Sequence, residues 1–208
     1  MRGLASLIMK RVRVSGRGRR VFAAKDFLDL GARAAVDQAL SRLTKAGELR
    51  RVSRGLYDWP RHSPVLDAPA PADTDAVIAA VARRTGQPIV RDALAAANAM
   101  GLTTAVPTRM AFVTTGKASD FTIGGRRVKL SMAPASVRPW IGSRAAPIVQ
   151  ALVWARDARL SLDDVATTIA RHTSDDAARD LAKGLARLPG WALAPAQSIV
   201  ANRINMAG

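Results

Sequence analysis

Between Val21 and Pro60 the chain reads VFAAKDFLDLGARAAVDQALSRLTKAGELRRVSRGLYDWP, and its glycines cut this stretch into three units of different period. In the first, Ala23 to Leu30, Phe27, Leu28 and Leu30 predict a short helix that Gly31 stops. In the second, Ala32 to Ala46, Ala32, Val36, Ala39, Leu40 and Leu43 fall on one helical face, and Gly47 supplies the residue that turns the backbone out of a helix. The third, Glu48 to Trp59, is rich in β-formers, with Leu49, Val52, Leu56, Tyr57 and Trp59 around Ser53-Arg54-Gly55, a hairpin turn.

Helix, tight turn, helix and a hairpin with arginine at its tip is the order of a winged helix-turn-helix. The second helix carries Ala34, Gln38, Ser41 and Lys45 opposite its apolar stripe, with Asp37 on one shoulder and Ala35 and Arg42 on the other. Small residues near its start would let such a helix sink into a major groove. Gln38 suits a bidentate contact to adenine, and Arg33 or Arg42 can reach guanine or phosphate. An ordinary amphipathic helix also has a solvated polar face. Hairpin, turn and charge together favour the nucleic-acid reading.

The runs DFLDLG, RAAVDQALSRL and RRVSRGLY resemble the N-terminal domain of AbiEi-type antitoxins, from bacterial abortive-infection toxin–antitoxin systems. More loosely, GLTTAVPTRMAFVTTG and the hairpin after it resemble the opening of the C-terminal domain of that family. The resemblance implies a DNA-binding autorepressor acting at operator inverted repeats. Its separate second domain would counteract a nucleotidyltransferase-type toxin, with no stable complex required.

Charge supports a polyanionic partner independently. The 208 residues hold 32 Lys+Arg against 16 Asp+Glu, a net charge of +16, so nucleic acid is the first candidate and an anionic membrane the second. The excess is concentrated. Residues 1–62 carry 15 of the basic residues and only 5 of the acidic ones, so the basic signal follows the proposed reading head. Arg17, Arg19 and Arg20 crowd a glycine-containing segment just before it and are expected on phosphate. The DNA-contacting set expected from the sequence is therefore Arg17, Arg19, Arg20, Lys25, Arg33, Ala34, Gln38, Arg42, Lys45, Arg50, Arg51 and Arg54.

Other chemistries lack their signatures. Without cysteine there is no disulfide framework or thiolate, and His62 and His172 lack ligand spacing, so no structural metal or cofactor is expected. Phosphate-loop, H-E-x-x-H and G-x-S-x-G motifs are missing, and no catalytic residues are assigned. The acidic pairs Asp163-Asp164 and Asp175-Asp176 sit where they favour helix starts. Leu4 to Met9 is too short for a secretory signal, and no apolar run reaches spanning length, so a cytoplasmic protein without membrane contact is expected.

Around the central stretch, Leu4, Leu7 and Ile8 predict a first helix to about Val14. Proline-rich residues 63–73 read as a linker, dividing a winged-helix domain at 1–62 from a C-terminal α+β domain at 74–208, each with its own core. The second domain begins with helices from Asp73 or Thr74 and from Arg91. A small antiparallel sheet follows over Met110 to Met132, turned at Gly124-Gly125 and decorated by Arg109, Lys117, Arg126, Arg127 and Lys129, a possible secondary basic surface. From Ser143 the pattern is helical, with Ser161 and Thr173 as starts of helices. The expected fold class is thus α+β and mostly helical. Two further functions are compatible with it: a plain winged-helix transcription regulator, and a protein that binds a toxin or RNA directly through the basic sheet.

Overall fold

A computed structural model describes residues 3–105 and 109–207 of the chain. Val106, Pro107 and Thr108, inside the second resembling run, lie outside the described residues. The fold is α+β and mostly helical. The chain divides into two compact units, Met1–Gln87 with Phe121–Val128, and Pro88–Asp120 with Lys129–Gly208.

In the first unit, helix α1 (Leu4–Val14) buries Ile8, Met9 and Val12. Strand β1 (Val21–Ala23) follows, then a 3-10 turn over Ala24–Phe27, helix α2 (Arg33–Lys45), and strands β2 (Arg50–Ser53) and β3 (Leu56–Asp58). The strands form an antiparallel sheet in the order β1-β3-β2. Phe22, Phe27, Val36, Leu40, Leu43 and Leu49 close the core with the buried face of α1. Each fully buried side chain of this size contributes about 1.5–3 kcal/mol.

The helix expected over Ala23 to Leu30 is instead the end of a strand and a 3-10 turn. Ala23 is held in register opposite Leu56, and its amide donates to the Asp26 carboxylate at 2.9 Å. Arg11 donates to the Asp26 carbonyl at 2.8 Å, and Leu30 N–H turns to the Phe27 carbonyl instead. Too few residues remain before Gly31 for an α-helical ladder. Ala32, expected on the buried face of α2, is its exposed N-cap.

The proline-rich segment is also more ordered than a linker. It forms the two-stranded β4 (His62–Ser63) and β5 (Ala68–Pro69), and Ala70 behind them is buried. The Ala70 carbonyl accepts from Arg50 Nη1 at 2.7 Å. Helix α3 (Thr74–Thr85), capped by the Asp73 carboxylate as expected, then packs along β1. It buries Val77, Ile78, Ala80 and Val81, and Arg83 donates to the Val21 carbonyl at 2.7 Å. The first unit therefore runs through Gln87 rather than ending at residue 62.

The second unit contains β6 (Ile89–Arg91), α4 (Ala93–Ala99) and β7 (Met110–Thr114). Strands β8 (Ser119–Ile123) and β9 (Arg126–Met132) complete a sheet of order β6-β7-β9-β8. Residues 121–128 of that hairpin are those grouped with the first unit. Helices α5 (Ala146–Asp157), α6 (Leu162–Arg171), α7 (Asp175–Lys183) and α8 (Gly190–Ala207) follow. Their core is built on Trp140, Ile148, Leu152, Ile169, Leu181 and Ile199, all essentially inaccessible. Ser161 caps α6 as expected. Ser174, not Thr173, caps α7, because the buried Thr173 hydroxyl donates back to the Ile169 carbonyl at 2.8 Å. Among the described residues no helix is long and apolar enough to cross a membrane.

Candidate nucleic-acid interface

Helix α2 is two-sided. Val36, Ala39, Leu40 and Leu43 are buried, while Ala34, Gln38, Ser41, Arg42 and Lys45 are exposed. Gln38, Arg42 and Lys45 have no side-chain partner among the described residues, so their hydrogen-bonding capacity is open to a ligand. Arg33 differs. Its Nε donates to Asp37 at 2.8 Å, one turn along the helix, with both groups more than half exposed or nearly so. A solvated i,i+4 pair of this kind holds about 0.3–0.5 kcal/mol, little enough for a phosphate to displace it.

The arginines before β1 are fixed by rings. The Arg17 guanidinium lies 4.5 Å from the Trp59 ring centre, and Arg20 lies 5.1 Å from that of Phe22. Such stacking orders a guanidinium by its face and leaves its edge N–H groups available to an anion. Arg19 is exposed between them.

The β2–β3 hairpin turns on Arg54-Gly55, where Gly55 takes φ 72°, a left-handed conformation that favours glycine. Arg51 and Arg54 are exposed. Arg50, expected on phosphate, already has partners within the fold. Successive strand side chains point to opposite faces, and that of Arg50 points inward. Its Nε and Nη2 grip Asp58 at 3.0 and 2.6 Å, and its Nη1 holds the Ala70 carbonyl. Asp58 is 1% exposed. Arg50 thus braces the hairpin through the groups a phosphate contact would use.

Lys25 is exposed, with Nζ at 3.5 Å from the Arg83 carbonyl. Arg84, absent from the sequence-derived set, stands at the hairpin tip and donates through Nη1 to the Arg54 carbonyl at 2.8 Å. No local pattern announces it, because the contact joins residues 30 positions apart.

Elsewhere the charges serve the fold. Arg11 meets Asp29 through two hydrogen bonds, at 2.7 and 2.6 Å. That contact holds the Asp29 carboxyl below its ordinary range and raises the Arg11 guanidinium above its own. Arg109, Lys117, Arg126, Arg127 and Lys129 are all exposed, and on β9 the buried Val128 and Leu130 alternate with Lys129 and its neighbours. Among the described residues no three His, Cys, Asp or Glu side chains gather as metal ligands would.

No curated protein and no solved structure matches this chain. A family model does match, over residues 7–165, from within α1 to within α6 and so across both the reading-head candidate and the basic sheet. The chain belongs to that family, a family of unknown function, DUF6088.

Proposed function

We propose that this protein is a non-enzymatic, cytoplasmic DNA-binding antitoxin that represses its own operon. In this reading the first unit is a winged helix-turn-helix. Helix α1, strand β1, the 3-10 turn, α2 and the β2–β3 hairpin take the roles of supporting helix, first strand, shortened second helix, recognition helix and wing. The observation that carries it is the exposed face of α2. Gln38, Arg42 and Lys45 share that face and have no side-chain partner among the described residues, directly before a hairpin that exposes Arg51 and Arg54. Gln38 would read adenine in the major groove while the cations hold phosphate.

The antitoxin half rests on the resembling runs DFLDLG, RAAVDQALSRL and RRVSRGLY. The second unit would counteract a nucleotidyltransferase-type toxin encoded beside it. Fluorescence anisotropy with duplexes from the upstream region, against scrambled sequence, tests the DNA half. Equal affinity for the two would remove operator recognition. Co-expression with the neighbouring gene product tests the other half by growth rescue. The exposed cations of β9 favour a second reading, direct binding of RNA by the basic sheet, which competition with structured RNA separates from the first.

A further inference from the structure

Around the end of α3, two contacts link elements far apart in the chain. Arg84, in the last turn of α3, donates to the Arg54 carbonyl at 2.8 Å, and its Nη1 is the nearest group to a Cβ placed on Gly55, at 3.7 Å. One residue back, the Arg83 carbonyl receives Lys25 from the 3-10 turn. Lys25, Arg54 and Arg84 are all exposed, and none has a carboxylate partner among the described residues. Arg83 between them is occupied with the Val21 carbonyl and the Asp26 carboxylate.

A structural purpose alone accounts for only part of this cluster. Carbonyls at the end of a helix favour a nearby cation, and Lys25 on the Arg83 carbonyl already supplies one. The Arg54 carbonyl needs one donor, and Arg84 gives it one of five N–H groups. What remains is a guanidinium edge held at the backbone of a second arginine, with a lysine on the carbonyl of the residue before Arg84. Positive charges without carboxylate partners favour an anion, and the guanidinium edge matches two oxygens of one phosphate.

We propose that Lys25, Arg54 and Arg84 form a cradle for a backbone phosphodiester of duplex DNA, with Arg84 both contacting the phosphate and fixing the wing tip from which Arg54 projects. This rests on the DNA-binding reading above. Bracing the tip before binding lowers the ordering cost a free hairpin would meet.

The test is the salt dependence of affinity for Arg84→Gln, Arg84→Lys and the wild-type chain, on operator and scrambled duplex, with thermal melts alongside. Arg84→Gln keeps a donor for the Arg54 carbonyl but removes the charge. Its log Kd against log salt should be shallower than wild type by about 0.9 on both duplexes, and Arg84→Lys should retain the wild-type slope. An unchanged slope in Arg84→Gln, with wild type still binding, would confine Arg84 to bracing and overturn the cradle alone. Wild type binding neither duplex would instead overturn the DNA-binding reading. Calorimetric binding of inorganic phosphate, lost in Arg84→Gln, would make the cluster a free-anion site and overturn its assignment to duplex DNA.

Discussion

Arg50 and Asp58 face each other across β2 and β3, joined by two hydrogen bonds of 3.0 and 2.6 Å, with the carboxylate almost completely withdrawn from water. Removing the guanidinium strands a buried charge, which costs about 3–5 kcal/mol when nothing replaces it. Arg50→Ala should therefore lower the urea midpoint steeply. Arg50→Lys should recover only part of the loss, because an ammonium cannot span both carboxylate oxygens and the Ala70 carbonyl together. A variant with native stability and weakened DNA binding would return Arg50 to the phosphate-contacting set.

That pair marks where sequence reading stops. Counting regularly from Ser53 opposite Leu56 would set Arg51 opposite Asp58, but an irregularity between Arg51 and Ser53 shifts the register by one residue and brings Arg50 there instead. Composition shows arginine but not the face it occupies. The buried stripe of α2, the extent of α1 and the Gly124-Gly125 turn were legible because they depend on local period and turn chemistry. The 3-10 turn was not, since the Arg11 contact that diverts the Asp26 carbonyl comes from 15 residues away. Arg84 was illegible for the same reason. Proline content made residues 63–73 look like a linker, yet Arg50 ties their far end to the hairpin.

Reading and holding should separate on α2. Gln38→Ala is expected to cost about 1–3 kcal/mol on the operator and little on scrambled duplex, since a bidentate base contact carries discrimination. Competition titrations with both duplexes measure the difference. Equal losses on both would disqualify α2 as the recognition helix.

With Arg50 engaged by Asp58 and Arg84 added, the phosphate candidates are Arg17, Arg19, Arg20, Lys25, Arg51, Arg54 and Arg84, all exposed. If about five of them engage, log K should fall against log salt with a slope of roughly −4 to −5. An affinity that does not change between low and physiological salt would exclude electrostatic holding.

Arg11 and Asp29 give the fold a defined acid sensitivity. The hydrogen bond from Arg11 lowers the Asp29 carboxyl in the folded state, so the pair stabilises the fold above the ordinary carboxylate range. That contribution disappears as pH falls through the lowered value. Denaturant midpoints of wild type and Asp29→Asn should differ at neutral pH and converge below about pH 4. A gap that persists unchanged into acid would mean the carboxylate charge contributes nothing.

The extent of the first unit makes the last prediction. A chain ending at His62 loses α3 and with it Val77, Ile78 and Val81, each worth about 1.5–3 kcal/mol of buried apolar surface. It also loses the Arg83 hydrogen bond to Val21, the Arg84 bond to the hairpin tip and the Ala70 carbonyl that Arg50 holds. Domains of about 60 residues have little stability to spare, so this fragment should melt without cooperativity and bind DNA poorly. Extending it to Gln87 restores those contacts and should restore a cooperative transition, leaving only Phe121–Val128 of the unit missing. Circular dichroism melts and amide dispersion of the two fragments decide the matter. A 1–62 fragment that melts as sharply as 1–87 would show that α3 is dispensable to the fold of the first unit.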